Sequence, residues 1–112
     1  MSDEFEERAK RIDQKMSELQ NVLAERRKQH GDFSEHAIYT QSIKAVMSDA
    51  ERRRMEQDKP FLTAVQREAI EMIAHKIGRI LAGDPNHVDH WLDLAGYATL
   101  VADDLRSREA AT

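Results

Sequence analysis

Acids and bases recur at helical spacing on two neighbouring apolar stretches of this chain. Glu68, Glu71, His75 and Arg79 follow one another in steps of three and four, and Asn86, Asp89 or His90, Asp93 and Tyr97 do the same. Charges set among Ile, Met and Leu must be paired, hydrated or placed on a ligand, because unpaired burial is costly. Two Glu on one helix and two Asp on the next are hard oxygen donors suited to Mg2+ or Mn2+, ions that keep several waters and reach phosphate oxygens. A metal held by Glu68, Glu71, Asp89 and Asp93 would activate water and neutralise a polyphosphate. The competing reading makes Lys76–Asp93 and Arg79–Asp89 interhelical ion pairs, with His75 and His90 as hydrogen-bonded members of the network. A zinc site at His75, His90 and Asp93 lacks a His-x-x-x-His pair on one helix. Neither a Gly-x-Ser-x-Gly elbow nor a phosphate-cradling glycine loop is present.

The elements that must position these residues are helices. Phe5, Ala9, Ile12, Met16, Leu19 and Leu23 alternate steps of four and three, the a/d seam of a coiled-coil-like helix over about 3–30. Gly31 can serve as its C′ residue, and His30-Gly31-Asp32-Phe33-Ser34 reads as a tight turn ending in an N-cap. A second helix spans about 35–57 and ends in polar sequence. Its Arg52 to Arg54 run, with Glu51, Glu56 and Asp58 around it, reads as a solvated face. Pro60 interrupts it, and Thr63 with Gln66 is a capping-box signature opening a third helix over about 63–82. Apolar residues cover well over half of that helix, which should be central and mostly buried. Gly83 stops it. Asp84-Pro85 reads as an N-cap and first helical residue for a fourth helix over about 85–106, with Val88, Trp91, Leu92 and Leu105 among its inward positions and a frayed tail over 107–112. The short connection at Gly83 makes the third and fourth helices an antiparallel hairpin with paired positions summing to roughly 169. That register sets Lys76 near Asp93, Arg79 near Asp89 or His90, and Glu71 near Tyr97.

The 112 residues fit one domain, an all-α antiparallel bundle of about four helices with a long N-terminal one. The apolar seam of the first helix favours a homo-oligomer, a dimer or tetramer. No cysteine is present, which removes disulfides, thiolate zinc sites and a cysteine nucleophile. The net charge of −4 argues against an extended nucleic-acid surface. No apolar run reaches signal or membrane-span length, so the expected place is the cytoplasm.

Glu68 and Glu71 on one helix and Asp93 on the next resemble the acid set of the MazG-like all-helical nucleoside triphosphate pyrophosphohydrolases. That family carries Glu-Glu-x-x-Glu followed by Glu-x-x-Asp; Arg67 and His90 here stand where two acids belong, and Asp89 lies one place off. Lys76-Ile77-Gly78-Arg79-Ile80 with Asp89 to Tyr97 is also similar to small phage and prophage proteins of undefined function. The resemblance implies a magnesium-dependent cleavage of a (deoxy)nucleoside triphosphate to monophosphate and pyrophosphate in the host-cell cytoplasm. Glu71 and Asp93 would be catalytic, Glu68, Glu71, Asp89 and Asp93 would hold the metal, and Lys76 and Arg79 would contact phosphate. Gly96 would make a close helix contact that lets Tyr97 approach the site. His75 and His90 would stand in the second shell. Tyr97 and Trp91 invite base stacking, although Trp91 on an apolar helix reads first as core. The alternative is a noncatalytic phage-derived helical protein that binds a nucleotide or a host protein, and a third reading is a structural oligomer acting through its first helix.

Overall fold

A computed structural model describes residues 2–111 and shows four helices, α1 (Ser2–His30), α2 (Phe33–Glu56), α3 (Ala64–Ala82) and α4 (Val88–Ala111), with no strand among the described residues. The fold is all-α, and α3 is the helix that packs against all the others. Its start follows from its sequence: the Thr63 hydroxyl accepts from the Gln66 backbone N–H at 3.1 Å, and the Gln66 side chain accepts from the Thr63 N–H at 2.9 Å. Each satisfies an N–H that the first helical turn leaves free. The end of α2 is a Schellman turn, with Lys59 N–H on the Arg54 carbonyl at 3.0 Å and Asp58 N–H on Met55 at 3.2 Å. Asp58 takes the left-handed position of that turn, at φ 55°.

The helix limits differ from the sequence reading at α2 and α4. Asp32 rather than Ser34 precedes α2. Asp84 does not cap a helix beginning at Pro85, because its carboxylate accepts from Asn86 N–H at 2.9 Å and its carbonyl from His87 N–H at 3.3 Å. These local bonds make a turn, and α4 begins at Val88. Of the tail over 107–112, expected to fray, residues 107–111 are the last part of α4, and Thr112 lies outside the described residues.

Two turns meet backbone to backbone. Gly31 lies at φ 78°, and a Cβ there would fall on the carbonyl of Ala82; a Cβ at Gly83 would stand 2.6 Å from the Gln29 carbonyl oxygen. Asp84 N–H donates to that same Gln29 carbonyl at 3.2 Å. Farther along, a Cβ at Gly78 would overlap the Thr40 hydroxyl and lie 3.1 Å from the His36 ring, so α2 and α3 approach closely there. Gly96 is different. Nothing lies within 4 Å of a Cβ built on it, so it makes no close helix contact.

The chain is long and thin, 74 × 32 × 27 Å, with a radius of gyration of 21.5 Å against about 13 Å for a compact domain of this length. Residues 3–28 of α1 are all exposed, so this helix is an arm held at its C-terminal end. Ala69 and Ala74 are the buried hydrophobic residues among those described. α3 is central, as its apolar sequence suggests, but only four of its nineteen residues are buried. Trp91 is 53% exposed rather than core, and its indole N–H donates to the Pro85 carbonyl at 2.7 Å. Val88, Leu92 and Leu105, also expected inward, are exposed, because no second layer among the described residues covers that side of α4.

Gly31→Ala should destabilise the fold by about 1–3 kcal/mol from its left-handed backbone alone, before the clash with Ala82 adds to it. Gly96→Ala should stabilise it by about 0.5–1 kcal/mol, as an exposed helix interior predicts. Urea unfolding midpoints of the two variants should therefore move in opposite directions.

Candidate functional site

The crossing of the two turns gathers all five histidines in two groups. His30, His87 and His90 form one, with His90 4.7 Å from His87 and 5.0 Å from His30 between ring centroids. His36 and His75 form the other, edge to face at 4.5 Å. His90 is 1% exposed, and its Nε2–H donates to the Gln29 carbonyl at 3.0 Å. A buried ring bonded in this way ties α4 to the end of α1, and His90 is structural in this chain rather than open to a ligand. His36 is likewise buried and donates Nε2–H to the His75 carbonyl at 3.1 Å, joining α2 to α3.

Beside these rings opens a cleft of about 400 Å³, within the size range of small-molecule sites. Arg26, Arg27 and His30 of α1, the N-terminus of α2 with Phe33 and His36, and His75 and Arg79 of α3 line it. Asp32 is the single acid in that lining. Among the described residues, none of Arg26, Arg27 and Arg79 has a carboxylate partner. No side chain caps α2, so the N–H groups of its first turn and the positive end of its dipole add to the same field. Two of the histidines are lowered, by burial first. Burial, then the Arg79 charge, holds His75 down to about 4, with His36, Lys76 and Lys44 adding to the shift. His30 is lowered too, by burial first and Arg79 second, and its Nδ1 is buried without a hydrogen-bond partner.

The residues singled out from sequence divide between this cleft and other places. Lys76 meets Asp93 at 2.6 Å, as the antiparallel register requires; Lys76 is buried, and its hydrogen bond holds the Asp93 carboxyl below the usual carboxylate range. Lys76 is thus engaged by a carboxylate, and Asp93 by an ammonium. Arg79 does not pair with Asp89. It turns to the cleft, while Asp89 is exposed and stands 3.8 Å from His87. Glu68 and Tyr97 line a second, largely apolar cleft of about 380 Å³ with Ala64, Val65, Ala69, Met72 and Leu100, so Tyr97 faces Glu68 and Met72 there. Arg67 reaches back to Glu51 of α2 at 2.8 Å. The Arg52 to Arg54 run is occupied locally, Arg52 and Arg53 by Asp49 and Arg54 by the Pro60 carbonyl.

Among the described residues no group of three or more His, Asp or Glu is placed to hold a metal ion. Glu68, Glu71, Asp89 and Asp93 do not converge within one chain, and Asp93 already carries the positive charge of Lys76.

The family described as Domain of unknown function (DUF6378) matches residues 15–104, most of the chain. The chain belongs to the DUF6378 family. No curated protein and no solved structure matches it. The DUF6378 segment begins midway along α1 and takes in every residue of the basic cleft. No helix among the described residues is long and apolar enough to cross a membrane.

Sequence reasoning placed Arg79 and His75 near the site but missed Arg26, Arg27, His30 and His36. The signal lay in the two glycine turns. Gly78 marks the close approach of α2 and α3, where both His36 and Thr40 of α2 meet it.

His75 gives a pH dependence of known sign. Its folded value lies below the ordinary 6.5, so the unfolded chain takes up a proton first as the pH falls. Stability from this group is therefore complete above pH 6.5 and declines as the pH drops from there towards 4. Urea midpoints measured between pH 7 and 4.5 should fall in the native chain and fall less steeply in His75→Gln; parallel slopes would remove His75 as the group responsible.

Proposed function

We propose that this chain binds the phosphate groups of a small anionic ligand, a nucleotide first among them, in the cleft at the crossing of the two turns. The observation that carries the reading is the convergence of three arginines, without carboxylate partners among the described residues, on a cleft of about 400 Å³. Arginine guanidinium groups offer several donors in a planar fork that matches phosphate oxygens. Arg79, half-buried on α3 between His75 and the turn at Gly83, is the least exposed of the three. Arg26 and Arg27 stand at the exposed rim. His30 and His75, both held below the ordinary histidine range, contribute ring nitrogens without adding charge at neutral pH. A bound phosphate would raise their proton affinity by supplying the opposite charge.

The pyrophosphohydrolase implied by the acids is a second reading. What favours it is the cleft shared by Glu68 and Tyr97, which is large enough for a base or sugar. It requires Glu68, Glu71, Asp89 and Asp93 to be brought together, which one chain in this arrangement does not do.

A thermal-shift titration separates the readings. Inorganic pyrophosphate and a panel of nucleoside triphosphates, added without metal, should raise the melting temperature, a ligand at a hundred times its Kd contributing about 2.7 kcal/mol. Arg79→Gln should weaken binding tenfold or more, and Glu71→Gln should leave it unchanged. The phosphate reading fails if no anion shifts the transition or if Arg79→Gln binds as tightly as the native chain. Pyrophosphate release that needs magnesium and is lost in Glu71→Gln would establish the hydrolase.

A further inference from the structure

We infer that α1 is the pairing arm of an antiparallel homodimer, in which it lies along α1 of a second copy with paired positions summing to 35. The first support is area. The chain exposes 8901 Å², whereas a compact monomer of 12.9 kDa exposes about 6,300 Å². Two copies together carry an excess of about 5,200 Å², enough for an obligate interface, which covers about 2,000–5,000 Å² counted over both partners. Much of it lies on one arm. Phe5 is 76% exposed, Ile12 61%, and Met16 and Leu19 52% each, along a seam that touches nothing else in the chain until Leu23 reaches the cleft.

The second support is charge, and it fixes the direction. The arm begins with Asp3, Glu4, Glu6 and Glu7 and ends with Arg26, Arg27 and Lys28. Parallel pairing would put acidic end on acidic end and set Arg26 against itself in the seam. Antiparallel pairing lays each acidic end on a basic one and opposes the helix dipoles. Only two nearby registers keep the seam closed. With positions summing to 28, Asp13 would face Asp13 and Lys15 would face Lys15 across the dyad. With positions summing to 35, Met16 packs on Leu19, Ile12 on Leu23, Ala9 beside Arg26, and Phe5 on His30. The flanks then place Glu6 against Arg27 with no like-charge pair, and the overlap uses the whole arm. The occupant is therefore a second copy of this chain. Arg26 and Arg27 also rim the basic cleft, so the dimer brings the acidic start of one copy beside the cleft of the other. The inference itself rests on no part of the phosphate reading.

The absence of cysteine makes the test direct. Light scattering on the intact chain should give twice the 12.9 kDa chain mass. Under mild oxidation a chain carrying Ile12→Cys with Leu23→Cys should form a covalent dimer, and Leu23→Cys alone should not. The two positions lie about 16 Å apart along one helix, beyond the reach of an internal disulfide. Met16→Glu with Leu19→Glu should return the mass to that of one chain while circular dichroism keeps its helical signal, since neither residue is part of a buried core. A monomeric native chain overturns the dimer. Crosslinking of Leu23→Cys alone overturns the antiparallel direction.

Discussion

The contact on which the structure depends is the meeting of Gly31 with Ala82 and Gly83. It brings main chain against main chain, at a separation that leaves no room for a side chain on either glycine. Three consequences follow from that one approach. The Gln29 carbonyl, left free at the end of α1, receives both the Asp84 N–H and the buried His90 ring. The start of α2 is pinned beside the end of α3, which sets His36 against His75. The arginines of the last turns of α1 and α3 are then held on one cleft. Hydrophobic burial cannot substitute for this contact, because the described residues bury little beyond two alanines and a few polar side chains.

Much of the fold is legible in the sequence because its signals are local. The capping box at Thr63 and Gln66, the stop at Gly83 and the spacing of α1 each depend on a few neighbouring residues. The antiparallel register is also local in origin, and it correctly sets Lys76 on Asp93. It misplaces Arg79. A register fixes which positions lie opposite each other across one hairpin, whereas Arg79 is drawn to the far side of α3 by a cleft that α1 and α2 complete. Asp84 shows a second kind of limit: an N-cap and an Asx turn use the same carboxylate, and sequence alone does not say which N–H wins.

The basic cleft was illegible for a related reason. Its lining comes from three helices and the turn between two of them, so no window of sequence contains it. The acids had the opposite fate. Spacing groups Glu68 with Glu71 and Asp89 with Asp93, but being on one stripe does not bring two stripes face to face. Lys76 reaches Asp93 first, and a buried ammonium without its carboxylate would be costly.

Exposed apolar side chains on α4 and the unpaired seam of α1 share one cause. A chain with 40% hydrophobic residues has the material for a core, yet its four helices leave most of it facing outwards. Sequences that pattern apolar residues so regularly are selected for something that covers them, since exposed patches of this size are rare on monomers. The inward positions read from sequence on α4 are therefore not errors of periodicity. Trp91, Leu92 and Leu105 follow the helical period faithfully, and what sequence could not supply was the identity of the surface on the other side. Periodicity says that a face is to be buried, and the geometry of a single chain says that its own helices do not bury it. Those two statements together turn an apparent failure of the pattern into evidence for a partner, and on α1 the order of charges along the arm says which partner and in which direction.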